Sequence, residues 1–194
     1  AKAESDGNHT QCPINGNCRN TPVEVFETRY PWLTKTYKIA PESGGHGRHR
    51  GGSGSWREME ALAPEITVSS FMDRHETRAW GLIGGAEGAS GQLRIRKKGD
   101  DSWRTFSEVY GTVSPNKFAD IQIQEGDQIR IVSPGGGGYG PPGERDPERV
   151  LEDVREGFLT VDEARDVYHV VLIEEGKGNW ELDPAATDQA RRVP

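Results

Sequence analysis

Hydrophobic and polar positions alternate in short runs through the first two thirds of the chain and change to a helical spacing near its end. "TKTYKIA" (34–40) alternates as a strand, and "WREMEALAP" and "ITVSSF" predict two more on either side of Pro64. In "QLRIRKKGDDSWRTF", Leu93 and Ile95 share one face and Arg94 and Arg96 the other, with Gly99–Ser102 as the turn, which predicts a hairpin. "ADIQIQEGDQIRIV" repeats that arrangement around Glu125-Gly126-Asp127. Before these runs, Thr21 as cap, Pro22 at the first helical position and Glu24 three residues after the cap predict a short helix to about Thr28. It should stop ahead of Pro31.

After Gly143 the period lengthens. Asp146 and Pro147 predict a helix start, Val150, Leu151, Val154 and Phe158 fall on one face, and Gly157 supplies a stop. Thr160 with Glu163 predicts a capping box for a helix bearing Val161, Ala164, Tyr168 and Val171. "VVLI" suggests a closing strand, and Asp183-Pro184 opens a last helix towards Arg191 and Arg192. The expected fold class is α+β: a mainly antiparallel sheet or barrel followed by a C-terminal helical segment. Residues 1–143 are expected to form the β-rich module, whose N-terminal residues complete a domain supplied by a partner chain, and 144–194 the helical segment.

Glycine changes this picture. The chain has 25 glycines and 12 prolines with a hydrophobic fraction of 32%, and the glycines bunch at 43–54, 81–91 and 135–143 rather than spreading evenly. Bunched glycine between strands predicts tight turns rather than disorder. A low apolar fraction also suits a chain that completes its core against a partner. The net charge of −7 argues against a general nucleic-acid binder, which needs basic surface to displace counterions. No run approaches the ~20 apolar residues of a membrane helix. The polar start "AKAESDGNHT" has no signal-peptide core, so no membrane association and a cytoplasmic chain are expected. Cys12 and Cys18 are too few to staple the fold.

The segment "IVSPGGGGYGPPGERDPERVLEDV" presents strand, glycines and helix in the order of a phosphate cradle. Gly135, Gly137 and Gly140 satisfy G-x-G-x-x-G, but Pro141 and Pro142 stand where the dinucleotide fingerprint begins its helix. No Lys-Ser/Thr follows as a P-loop requires. Gly135, Gly136, Gly137, Gly138 and Gly140 therefore read as a structural turn, with Gly137 the position where a positive φ would forbid a side chain. His9, Cys12 and Cys18 are weak zinc candidates, since a structural site wants four ligands. His46, Arg48, His49 and Arg50 could bind an anion through guanidinium forks and glycine amides, or contact a partner; a solvated turn is the plainer reading. Asp73, His75 and Glu76 could act as acid and base, and Trp32, Trp56, Trp80, Trp103 and Trp180 could line a groove or pack on sheets. No G-x-S-x-G elbow is present.

Four blocks in order, "RNTPVEVFETRYP", "SGGHGRHRGGSG", "WGLIGGAEG" and "SPGGGGYGPPGERDPERVLEDVREGFLTVDEARDVYHVVL", resemble the C-terminal part of the hydantoinase B/oxoprolinase family. These are the large subunits of ATP-dependent hydantoinases, oxoprolinases and acetone or acetophenone carboxylases. The resemblance covers nearly all the chain from about Asp6 and implies a subunit, or C-terminal piece of one, that is inactive alone. It implies as partners the N-terminal large-subunit portion and an ATP-binding hydantoinase A type subunit. ATP, Mg and a transition metal are then expected in those partners, with no cofactor assigned to this chain. The family's metal-associated site of His and Asp lies in an N-terminal half that no residue here matches, so no catalytic residue carries over. The implied chemistry is cyclic-amide opening or ketone carboxylation; the alternative is a freestanding β-sheet interaction or ligand-binding module.

Overall fold

The computed structural model describes residues 1–11, 20–176 and 178–192. In chain order its elements are α1 (Val23–Arg29), β1 (Trp32–Ile39), β2 (Ser55–Ala61), β3 (Glu65–Phe71), β4 (Gln92–Arg96), α2 (Phe106–Tyr110), β5 (Lys117–Gln124) and β6 (Gln128–Val132). They continue with a 3-10 turn (Pro142–Glu144), α3 (Pro147–Arg155), α4 (Val161–Asp166), β7 (Leu172–Glu174), β8 (Trp180–Leu182) and α5 (Pro184–Ala190). The architecture is α+β, with antiparallel sheets and helices gathered towards the C-terminus.

One four-stranded sheet has the order β1-β2-β6-β4, β3 pairs with β5 in a separate ribbon, and β7 pairs with β8. The sheet is open, with β1 and β4 at its edges, so the barrel alternative does not hold. Both expected hairpins are corrected as well. The turn at Glu125–Asp127 exists, with Gly126 at φ 85, yet its arms belong to different sheets: β5 pairs with β3 and β6 with β2 and β4. Residues 55–71 thus run antiparallel along 117–132 as one long ribbon that corners at 62–64 against 125–127. Backbone bonds from Gly126 N to Ala61 O (2.8 Å) and from Ala61 N to Asp127 O (2.9 Å) tie the corner.

The second hairpin is cut short. After Gly99, at φ 89, the chain returns for a single bridge between Ile95 and Arg104. The Thr105–Glu108 capping box then diverts it into α2 before a second strand can form. A cap stabilises such a helix start by about 1 kcal/mol, enough to decide a short segment. Towards the N-terminus α1 forms as expected, but its cap is Pro22 in an extended conformation, so the Thr21 side chain makes no capping bond. Asp146, Thr160 and Asp183 do cap α3, α4 and α5, and Gly157 takes φ 76 after α3.

Two apolar clusters result. The first joins Ala61, Leu93, Ile95, Phe106, Ile123 and Ile129 beneath the sheet corner. The second joins Val150, Leu159, Ala164, Tyr168 and Val170 among α3, α4 and the segment after them. Val170, not Val171, completes the α4 stripe, because His169 at φ 54 breaks the helical period just before it.

Phe106 has no exposed surface and stacks on Phe118 at 4.3 Å between ring centroids. Phe106→Ala should therefore destabilise the chain by about 3–5 kcal/mol through lost burial and a cavity. A urea midpoint within error of wild type would show that this cluster is not holding the sheet corner.

Candidate functional site

Three glycine-rich segments form a layer made mostly of backbone. Segments 43–54, 79–89 and 135–140 pass so close that their amides bond across segments rather than in a sheet ladder. Gly45 N donates to Gly136 O (2.8 Å), Gly136 N to Gly52 O (2.8 Å), Gly138 N to Ala86 O (2.9 Å) and Gly140 N to Leu82 O (2.9 Å). Gly135 N donates to Ala89 O and Tyr139 N to His49 O. These amides are consumed inside the fold, so they are not aimed at a phosphate.

Gly137 corrects the expectation of a positive φ, which belongs instead to Gly140 at φ 74. Gly137 is needed for proximity: a Cβ there would sit 2.6 Å from the Trp80 carbonyl carbon and closer still to its oxygen. Side chains are excluded because backbone occupies the space they would take.

The layer is locked to α3 by buried charge. The Arg145 guanidinium, 1% exposed, grips Asp6 in bidentate fashion through Nη1–Oδ1 (2.8 Å) and Nη2–Oδ2 (2.9 Å). The same group reaches Asp153 Oδ2 (2.8 Å) and Arg48 O (3.1 Å). Arg50 donates to Asp153 Oδ1 through Nε (3.2 Å) and Nη2 (3.1 Å), to Gly51 O through Nη1, and lies 4.8 Å over the Phe158 ring. Paired and hydrogen-bonded in this way, the buried charges are compensated, and removing one partner would strand another.

The four residues of the "HGRHR" block do not converge on an open anion site. His46 Nδ1 meets Tyr168 Oη at 3.1 Å while its Nε2 faces Glu163 Oε1 at 3.6 Å. Burial pushes the Tyr168 hydroxyl well above its ordinary value, so it stays neutral. His49 Nδ1 lies 3.8 Å from Asp6 Oδ1, Arg50 is engaged with Asp153, and Arg48 Nη1 reaches Glu144 at 3.4 Å.

Other candidates are dispersed. His9 stacks on Phe158 at 4.5 Å and its Nδ1 accepts from Ser53 N (3.1 Å); burial holds its pKa below the usual value. Cys12 and Cys18 lie outside the described residues. Among the described residues no three His, Cys, Asp or Glu side chains are grouped as metal ligands. Asp73 pairs with Lys117 (2.6 Å) at the exposed end of the β3–β5 ribbon. His75 is half-buried, with a lowered pKa caused by desolvation. Trp56 and Trp103 form a ladder on the outer face of the sheet with Lys38, Arg130 and Arg96, whose cations lie 4.1–5.1 Å from the ring centroids. The ladder is satisfied by its own cations. Trp32 packs on the first apolar cluster, and Trp80 is 71% exposed.

Sequence reasoning misses the quartet Asp6, Arg50, Arg145 and Asp153 as a unit. One sign of it is local: Asp153 falls among Val150, Leu151 and Val154 on the buried face of α3, where a carboxylate needs a partner.

With this geometry in hand, the family model for hydantoinase B/oxoprolinase matches residues 1–142. The chain belongs to the hydantoinase B/oxoprolinase family. Its relatives include a Pseudomonas sp. (strain NS671) protein provisionally named as the B component of a D-/L-hydantoinase, 34% identical over 97% of this chain and 30% of its own length. The beta chain of Pseudomonas jessenii caprolactamase is 37% identical over 87% of this chain and 27% of its own. The fold recurs in nucleotide-free acetone carboxylase, with a TM-score of 0.78 at 24% identity over 99% of this chain and 28% of that one. The chain thus spans about a third or less of the relatives it matches.

Glycine packing in this family member makes a graded prediction. Gly137→Ala should abolish soluble folded chain, whereas Gly99→Ala, at φ 89 with nothing within 4 Å of the added Cβ, should cost only the left-handed strain of about 1–2 kcal/mol. Thermal unfolding and soluble yield separate the two, and equal effects would refute the packing argument.

The charge quartet predicts acid sensitivity. Burial by itself would raise the Asp6 carboxyl, but Arg145 and the Arg50 amide outweigh it and hold the pKa below the ordinary carboxylate value. A depressed carboxylate contributes stability that is fully present above the unfolded pKa of about 4 and is lost as pH falls through the folded value. Unfolding free energy should therefore drop from about pH 5 downward. Asp6→Asn should flatten that acid limb while destabilising the chain by about 3 kcal/mol at neutral pH, because Arg145 loses a buried partner.

Proposed function

We propose that this chain is the glycine-layered portion of a hydantoinase B type large subunit, working within an ATP-dependent enzyme that opens cyclic amides. The observation that carries this is coverage. A fold with its own two apolar clusters aligns over nearly its whole length with about a third of the longer Pseudomonas sp. relative and of the Pseudomonas jessenii caprolactamase chain. Support for the chemistry comes from identity. Relatives above 30% identity include proteins named for hydantoin, caprolactam and 5-oxoproline, all cyclic amides. The likeness to acetone carboxylase, at 24%, supports the shared fold, so ketone carboxylation is the second choice.

The chain's own residues suit a supporting role. Its glycine amides are spent on backbone carbonyls, its buried guanidinia on carboxylates, and its described side chains assemble no metal-ligand set. ATP, Mg and any catalytic metal are assigned to the remaining portion of the large subunit and to a hydantoinase A type subunit. The long edge strand β1, with Leu33, Tyr37 and Ile39 exposed, fits a piece that associates rather than one that stays a solitary monomer.

Made alone, the 194-residue chain should show no ATP-dependent hydrolysis of a hydantoin or lactam. Turnover should appear when the rest of the large subunit and the ATP-binding subunit are co-expressed with it, with Mg and ATP supplied. Turnover by the isolated chain would overturn the proposal. Activity of the assembled enzyme confined to a ketone with bicarbonate would shift it to carboxylation.

A further inference from the structure

One loop is built against its own conformational preference. Leu82 O accepts from Gly85 N at 3.0 Å, and the two residues between them, Ile83 at φ 51 and Gly84 at φ 85, are both left-handed, as in a type I′ turn. That turn selects Asn, Asp or Gly at its first central position, and a β-branched side chain there is strained. Burial does not compensate it, because Ile83 is 72% exposed. Trp80, 71% exposed, and Leu82, 51% exposed, sit on the same loop.

The loop is not held open by slack backbone. Leu82 N donates to Gly138 O (2.9 Å) and Gly140 N to Leu82 O (2.9 Å), so the glycine layer clamps it from behind. Its rim is charged: the Arg74 guanidinium lies 5.6 Å from the Trp80 ring centroid, and Arg78 pairs with Glu87 at 2.8 Å. A rigid apolar centre inside a polar rim is the anatomy of a protein interface, and aromatic anchors carry most of the affinity in such patches. Strain that the fold itself does not repay points to a contact outside the fold.

We infer that Trp80, Leu82 and Ile83 form the knob by which this chain docks into an apolar pocket on the remaining two thirds of its hydantoinase B type large subunit. This rests on the proposed reading of the chain as one portion of that large subunit. The occupant is chosen on two grounds. In the caprolactamase of Pseudomonas jessenii the same fold, with a TM-score of 0.71 at 27% identity, makes up only 33% of the chain, so a large body of further protein accompanies it there. A second copy of this chain suits the patch less, because two bodies of net charge −7 repel.

The test separates strain from docking, because one substitution should move them in opposite directions. Ile83→Asn supplies the residue the turn prefers, so the variant chain alone should melt at or above the wild-type temperature. Its capture by a tagged, co-expressed remaining portion of the large subunit should nevertheless fall about tenfold or more, as should that of Trp80→Ala. Ile173→Ser, which removes an exposed apolar side chain from β7, should be captured like wild type. Wild-type capture of both loop variants would overturn the knob while leaving the proposed place of the chain in the large subunit intact. Failure to capture the wild-type chain would overturn both. A concentration-dependent wild-type dimer that Ile83→Asn dissolves would overturn the assignment in favour of a second copy.

Discussion

The rest of this structure depends on the exclusion of side chains from one layer. Where 43–54, 79–89 and 135–140 cross, carbonyl groups occupy the positions that Cβ atoms would take, so only glycine permits the approach. Once that close, the segments satisfy one another's amides, and the layer becomes a stiff plate with no hydrophobic core of its own. The layer runs on into the four-stranded sheet at Ser55 and Ser133 and is tied to α3 and α4 through Arg50 and His46. A chain with only 32% hydrophobic residues can fold this way because hydrogen-bonded backbone fills part of the interior.

A layer built mostly of backbone offers few side chains with which to grip its neighbours, and the charge quartet supplies much of that grip. Arg50 emerges from the layer, Arg145 from the segment before α3 and Asp153 from α3 itself, while Asp6 closes the group from the N-terminal segment. Buried ion pairs are a poor source of net stability but a strong determinant of arrangement, since any other packing leaves a charge uncompensated. The Tyr168–His46–Glu163 chain adds a second tie between the same layer and α4. Guanidinia and imidazoles that look like ligand-binding groups in the sequence are, in the fold, the fasteners between its halves.

The same plate explains why the exposed loop can be strained without being floppy. Backbone bonds on both sides of the Leu82 peptide hold Ile83 in a conformation it would leave if free. A surface preorganised in this way loses less entropy on association than a mobile loop, which suits the docking role proposed for it.

Much of this is legible in the residues themselves. Strand positions, the caps at Asp146, Thr160 and Asp183, the stop at Gly157 and the family blocks are local signals, set by alternation, cap chemistry and glycine's freedom within a few residues. Tertiary structure alone decided which strands pair. The turn at Glu125–Asp127 reads as a hairpin, yet its arms separate because residues 55–71 offer a longer continuous edge to both. It also decided the meaning of Gly137, a matter of a carbonyl from residue 80 rather than of its own φ. The partners that Arg50, Arg145 and His46 find across the layer follow the same rule: Asp153, Asp6 and Tyr168 lie between 103 and 139 residues away along the chain, and no local pattern encodes a contact at that separation.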